Sequence, residues 1–502
     1  MSESKSTSLT EKTGVVVFSR ILGTFVEIAT IVFLVRMLSD TDFAIVSMLL
    51  LVYETAKYFA TLGFPDSVFY FFERIAKDAR RSFALQTCVI LLITGFISVI
   101  FILLFNAFLP VYLSEWTATS VQTAQELMPI MAIIALLEIP TWPVNNLMLA
   151  ADRQKDAGIY QILNGTMTFL AMILPLALGY DFAVAIWTLL GYSVIRFLMS
   201  LIWMLKILPP STQKLPRRLI KEQTWFAIPI GLSSLVSRLN RYADKFIVSY
   251  FISEEAFAIY MVGAQEIPAV RVIPFAVGSV LISRFVALNL AKERIALMEL
   301  WRKGVEKVAL LVVPVSILFI VIAYEFIVLL FGITYAPAVI LFQIYTLIIL
   351  IRVAHYGSIL QAFGDTKKIV LLSLNLLISN VILTIPLTYY FGLIGAVIGT
   401  LIANLYNWIV TLRVIGGHLD VPWYRVIPFT NYFKIVGISI IAGLIVISLD
   451  FVVPIESIAL NLAWKIIIYL VLFLSIGHLT KIISPKDLRD FLDWIQLKFL
   501  FR

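Results

Sequence analysis

The sequence predicts an all-α membrane protein of about fourteen transmembrane helices, two pseudo-symmetric six-helix bundles plus two C-terminal helices. Three observations predict it. Hydrophobic residues make up 61% of the 502-residue chain and charged ones only 14%, with a mean hydropathy of +0.97, far from the balance of a soluble domain. Apolar runs of roughly 20 residues recur from end to end, each long enough to cross a hydrocarbon core as a helix. The runs are continuous rather than alternating, and lipid offers backbone N–H and C=O groups no partners, so each run must satisfy them internally as a helix.

In order, spans are expected near residues 15–37, 43–62, 83–105, 124–149, 159–178, 182–205, 224–251 and 256–285, then 308–324, 338–363, 369–390, 393–415, 433–448 and 458–478. The first follows a polar stretch, Ser2 to Lys12. It is too long for a signal-peptide core, carries Arg20 and Glu27 and has no clear small-residue cleavage site, so it is expected to be a retained helix.

Lys and Arg fall in alternate connections, at Arg74 to Arg81, Arg153 and Lys155, Lys206 to Lys221, Arg284 to Lys307, Lys367 and Lys368, and Arg413 to Lys434. The intervening turns hold acids instead: Asp40 and Asp42, Glu115, Asp181, Glu254 and Glu255, Asp450 and Glu456. Basic residues in short loops stay in the cytoplasm, which puts both termini there, in a multi-pass protein of the cytoplasmic (inner) cell membrane. The net charge of +8 is explained by this asymmetry and by basic residues within spans, so no nucleic-acid partner is inferred.

A weak internal repeat appears at an offset of a little over two hundred residues: Ser39 and Asp42 to Ile45 match Ser253 and Ala256 to Ile259, Asp152 and Lys155 match Asp365 and Lys368, and Asn164 and Pro175 match Asn375 and Pro386. The expected organisation is a six-helix bundle over 1–205, a cytoplasmic linker over 206–223 rich in Pro and Lys, and a second bundle over 224–416. Two additional helices over 417–480 and an amphipathic cytoplasmic tail over 481–502 follow, the tail with Ser484 as N-cap and Leu488, Leu492, Ile495 and Phe499 on one stripe.

The single cysteine, Cys88, lies in an apolar run, so no disulfide within the chain or thiolate cluster is expected, and neither a metal site nor a catalytic group is assigned. The informative residues are charges inside spans, since each mid-span Lys or Arg costs about 2.5–3.5 kcal/mol and needs a partner, water or a ligand. Arg36 and Lys465 are discounted as able to snorkel. Arg196 is a further intramembrane cation. Arg238, Arg241 and Lys245 recur at i, i+3 and i+7 on one helix face, Arg271 sits between Pro268 and Pro274 where the span is expected to kink, and Arg352 shares a face with His355 in the tenth span. With Arg20 and Lys57 they form the candidate substrate-binding set, suited to phosphate because guanidinium groups bind two oxygens at once and keep their charge when buried. The acids Glu27, Glu54, Asp244 and Glu266 are candidates for balancing these charges or holding a coupling H⁺ or Na⁺; for Glu54 and Lys57, at i and i+3, mutual neutralisation stands as an equal alternative.

Ser19-Arg20-Ile21-Leu22-Gly23, followed by Arg36-Met37-Leu38-Ser39 and Asp42-Phe43-Ala44, resembles the polysaccharide flippases of the multidrug/oligosaccharidyl-lipid/polysaccharide exporter superfamily, as do the turns Ala151 to Lys155 and Gly364 to Lys368. The resemblance implies two bundles that rock by alternating access around a cationic cavity. It implies as substrate a polyprenyl-diphosphate-linked oligosaccharide, as surroundings membrane lipids, and as further partners polysaccharide assembly proteins. Val26-Glu27 stands where lipid II flippases usually have Arg-Asp, which favours the O-antigen or capsule branch; Arg20, Lys57 and Arg271 are the counterparts of basic cavity residues in that relative. The expected role is therefore transport rather than enzymatic. The alternatives are a cation-coupled multidrug antiporter of the same superfamily and a membrane glycan polymerase or ligase; the longest outer segment, Asn106 to Gln122, offers an enzyme only Glu115.

Overall fold

The computed structural model describes residues 9–210, 216–452 and 455–483, with the backbone alone described at 9–21, 217, 268, 269, 271 and 451. The expected tail from Ser484 onward and linker residues 211–215 lie outside the described residues. The described residues contain helices and turns and no strand. They divide by internal packing into two compact units, one running to Tyr242 and taking in Ser253–Ala258, the other Ala243–Ile252 and the residues from Ile259 onward.

The first unit begins with α1 (Leu9–Met37) and α2 (Asp40–Thr61), whose N-terminus is capped by Ser39 accepting from the Asp42 N–H at 3.1 Å. α2 stops inside the expected second span. Leu62 takes a left-handed conformation at φ 44°, Gly63 follows at φ 75°, and α3 (Phe64–Phe72) resumes with Pro65 in its first turn. α4 (Arg80–Tyr112) and α5 (Ala118–Glu138) pack on each other and on α2; a 3-10 turn over Ile139–Thr141 then separates α5 from α6 (Trp142–Ala150). α7 (Gln154–Ala177) packs on α1 and on α8 (Phe182–Ile207), and α9 (Arg217–Phe251) supplies its residues up to Tyr242.

On α4, Leu91, Gly95, Ser98 and Ile102 are buried against the protein, while Val89, Ile93, Phe96, Ile100 and Leu104 are exposed on the opposite side, an apolar face that only lipid accommodates. At the basic end the core is aromatic and aliphatic: Val68, Phe71, Phe72, Phe83, Leu147 and Met204 close over one another.

The α2–α3 break is set by a close crossing with α9. A Cβ on Gly231 would lie 2.2 Å from the Leu62 carbonyl carbon, and one on Gly63 2.4 Å from the Ala227 oxygen, so glycine is required on both sides. Pro229 on α9, whose missing N–H and ring disrupt the helix ladder, lies two residues from the crossing.

The second unit contains α10 (Glu254–Gly263) from Ile259, α11 (Pro268–Leu290), α12 (Arg294–Val321), α13 (Ala323–Phe331), α14 (Ala338–Leu350), α15 (Tyr356–Ala362), α16 (Thr366–Leu419), the single turn α17 (Trp423–Val426), α18 (Phe429–Val452) and α19 (Ile458–Leu479). α16 is two spans, not one: Gly392, at φ 59° and ψ −139°, reverses the chain, matching the expected boundary between residues 390 and 393. α12 packs on α11, α14 and α18, and α18 on α19. Among the described residues, ten helical segments are long and apolar enough to cross a membrane. The remaining α1, α9, the α14–α15 pair and the second arm of α16 make this consistent with the expected fourteen.

The repeat is visible in turn geometry with a shifted register. Arg153 N–H reaches back to Met148 O at 2.8 Å with Asp152 left-handed, and Asp365 N–H to Leu360 O at 3.1 Å with Gly364 left-handed. Aligned by these bonds, Asp152 corresponds to Gly364 and Arg153 to Asp365, one residue from the match read in the sequence. Asp365 caps α16, and its interaction with Lys368 holds its carboxyl below the usual carboxylate range.

Candidate functional site

Inside the first unit, α2, α5 and α8 bring four charged side chains into one buried network. Lys57 sits 2.7 Å from Glu54 and 3.6 Å from Glu138, and Arg196 from α8 sits 2.9 Å from the other Glu138 oxygen. Tyr53 donates to Glu138 and accepts from the Lys57 ammonium at 2.9 Å. Glu138 is 4% exposed and Lys57 5%. Two cations face two carboxylates, so the network is neutral, which is how charge is tolerated away from water. Glu138 was not singled out from the sequence, although it is an acid within an apolar span beside Pro140; Arg196 was noted only as a cation without a role.

Beside this network a cavity of ≈ 440 Å³ opens at the α2–α3 break, lined by residues of the first unit alone. Its wall is formed by Tyr58 and Thr61 on α2, Asp66 on α3, Trp142 at the start of α6, and Ser234 and Arg238 on α9. Tyr58 and Trp142 meet edge to face at 5.2 Å. The Arg238 guanidinium lies over the Tyr58 ring at 4.2 Å, and the Lys57 ammonium lies 5.2 Å from the Trp142 ring. Among the described residues no carboxylate approaches Arg238 within salt-bridge distance. It is a partly buried guanidinium facing a cavity without an ion pair, and such a group is an anchor for an anionic ligand.

The second unit treats its charges differently. Arg352 and His355 do not share a helix face: α14 ends at Leu350 and α15 begins at Tyr356, leaving both residues in the break. There Arg352 donates to Glu266 at 2.7 Å, and Glu266 itself lies between α10 and α11. One ion pair thus ties two helix interruptions together. Asp244, 1% exposed, accepts from Tyr260 at 2.9 Å and lies 3.6 Å from Lys245, whose ammonium is 5.7 Å from the Tyr345 ring. Lys465 does not snorkel: it is 5% exposed and bridges Glu325 at 2.6 Å and Asp450 at 2.8 Å.

The candidates read from the sequence are therefore dispersed. Lys57 is bound to Glu54 and Glu138, Arg352 to Glu266, and Lys245 lies beside Asp244. Arg238 faces the cavity, and Arg241, on the same helix, falls in the same unit, whereas Lys245 falls in the other. Glu27 is exposed on α1. Arg20 lies on α1 and Arg271 in the first turn of α11, with their side chains outside the described set; the interruption expected beside Arg271 is present at Ala264–Ile267.

Residues 9–289 match the family model described as polysaccharide biosynthesis protein. The chain belongs to this family. A comparison with curated proteins finds no match. Among solved structures the fold resembles lipid II flippase MurJ in an inward closed conformation, with TM-score 0.69 and 16% identity over 94% of this chain and 99% of that one. It also resembles an inward-facing multidrug resistance MATE family transporter of the MOP superfamily, with TM-score 0.65 and 15% identity over 79% and 94% of the two chains. A MOP superfamily transporter from Pyrococcus furiosus gives TM-score 0.57 and 14% identity over 82% and 95%. The resemblance read from the Ser19 to Gly23 stretch and the basic turns is borne out at the level of the polysaccharide biosynthesis family, the fold is shared with transporters of the MOP superfamily, and the chain is a multi-pass membrane protein.

Proposed function

We propose that this protein is a flippase that moves a polyprenyl-diphosphate-linked oligosaccharide from the cytoplasmic to the outer leaflet by alternating access, coupled to H⁺ or Na⁺, in surface polysaccharide biosynthesis. The observation that carries the proposal is Arg238, facing the α2–α3 cavity with no carboxylate in salt-bridge distance among the described residues. A diphosphate supplies the charge such a guanidinium lacks, and the planar donors of arginine suit its oxygens. Membership of a polysaccharide biosynthesis family and a fold like that of a lipid II flippase support the same substrate class. The distribution of Lys and Arg supports a cytoplasmic-membrane location with both termini inside.

A cation-exporting antiporter fits this cavity poorly. Organic cations bind aromatic faces, but Tyr58 already lies under Arg238 and Trp142 lies near Lys57, so a cationic guest would meet like charge at both rings. The test is translocation of undecaprenyl diphosphate carrying a fluorescent oligosaccharide in proteoliposomes, wild type against Arg238→Gln. Loss of one charge-assisted contact, about 1.5–3 kcal/mol, should slow transport at subsaturating lipid by about 10–100-fold. An unchanged rate would remove Arg238 from the site.

A further inference from the structure

We infer that the α2–α3 cavity is a saccharide subsite, in which Asp66, Ser234, Ser237 and Trp142 select the glycan while Arg238 marks its junction with the diphosphate. This rests on the flippase reading and names the part of the substrate that this cavity takes. The volume, ≈ 440 Å³, lies in the range of about 300–1,000 Å³ typical of small-molecule sites. Its chemistry is mixed in a specific way. The lining carries one guanidinium and one carboxylate, and with hydroxyls on α9 and the phenol and indole of Tyr58 and Trp142 it presents both donors and acceptors around apolar ring surface.

A diphosphate alone is a poor match for that lining, because Asp66 is a like charge and the serine hydroxyls would serve as donors only. A polyhydroxylated ring fits better. Each sugar hydroxyl both donates and accepts, so a carboxylate takes its proton while a guanidinium, indole N–H or serine satisfies its oxygen. The C–H face of a pyranose is apolar and pairs with aromatic surface. Electrostatics then orients the substrate: the diphosphate stays at Arg238, and the glycan extends toward Asp66, which would repel the phosphates. The site is held in shape without ligand, since Asn146 donates to the Pro65 carbonyl at 2.8 Å beside Asp66, and Ser237 donates to the Ser233 carbonyl at 3.0 Å.

The experiment is native mass spectrometry of the full-length protein in detergent with equimolar undecaprenyl diphosphate and undecaprenyl diphosphate bearing an N-acetylglucosamine-containing trisaccharide, which resolves the two complexes by mass. The wild type should favour the glycosylated lipid at least about tenfold, and Asp66→Asn, Trp142→Ala and Ser234→Ala should each reduce that ratio severalfold, with Asp66→Asn bringing it near one. Trp142→Phe, which keeps ring surface, should retain more selectivity than Trp142→Ala. A wild type that binds both lipids equally, or variants with an undiminished ratio, would overturn the saccharide subsite while leaving the flippase reading intact. A wild type that binds neither lipid would overturn both.

Discussion

Replacing Glu138 by Gln tests the buried network with little change of shape. The amide fills the carboxylate's volume and can still meet Tyr53, but it leaves Lys57 and Arg196 facing Glu54 alone, one uncompensated positive charge among side chains that are 4–5% exposed at Glu138 and Lys57. Removing one partner of a buried pair costs about 3–5 kcal/mol, whereas removing both partners is far cheaper. At about 2–4 °C per kcal/mol for a domain of 150–250 residues, the single variant should melt on the order of 10 °C below wild type. The double variant Glu138→Gln with Arg196→Met should recover most of that loss, because each sign again occurs once. Thermal unfolding of the purified protein in detergent, followed by tryptophan fluorescence, reads both shifts. A single variant within about 2 °C of wild type, or a double variant no better than the single, would show that Glu138 does not balance these cations.

Gly231→Ala should block correct folding, since its Cβ would stand 2.2 Å from the Leu62 backbone with no flexible side chain to yield; a monodisperse, wild-type-like elution profile would contradict the α2–α9 crossing. Glu254 at the start of α10 is 1% exposed and accepts from the Thr117 amide at 3.1 Å, the Thr117 hydroxyl at 2.7 Å and the Ser120 hydroxyl at 3.1 Å. Burial alone would raise its pKa, but these hydrogen bonds outweigh burial and hold the carboxyl below its ordinary range. A folded pKa below the unfolded one means the stabilisation is complete above the unfolded value, near 4.3, and is lost as pH falls through the depressed folded value. Melting curves should therefore show an acid-dependent loss below about pH 5 that Glu254→Gln diminishes; identical pH profiles would sink this assignment.

The spans were legible because lipid enforces them: a run that can satisfy its backbone only as a helix is visible in composition alone, and even the reversal at Gly392 fell between two expected spans. The interruptions were less legible. Pro268 and Pro274 flagged the one before α11, but Ile351-Arg352-Val353-Ala354-His355 contains neither Pro nor Gly, and its break accompanies a pairing with Glu266, 86 residues away. Periodicity therefore placed Arg352 and His355 on a helix face that does not exist.

The site followed the same division. Glu54 and Lys57, three residues apart, could be paired by inspection, and they are. Glu138 and Arg196 are brought together only by the packing of α5 on α8, which no local spacing records. Arg238 was found by the cost of a cation in a span, but its neighbours Asp66, Trp142 and the α9 serines are ordinary in the sequence and acquire meaning only from the cavity between them. Lys465 shows the opposite error: its place near a helix end suggested snorkelling, while Glu325 and Asp450 converge on it.

The central claim is most directly tested by giving one preparation of proteoliposomes two cargoes, undecaprenyl diphosphate carrying a fluorescent oligosaccharide and a fluorescent organic cation, under imposed H⁺ or Na⁺ gradients. Protein-dependent appearance of the glycan in the opposite leaflet, scored by a membrane-impermeant quencher, with no movement of the dye, is the result this account predicts. Gradient-driven movement of the dye with the glycan lipid left in place would contradict it and assign the protein to drug export instead.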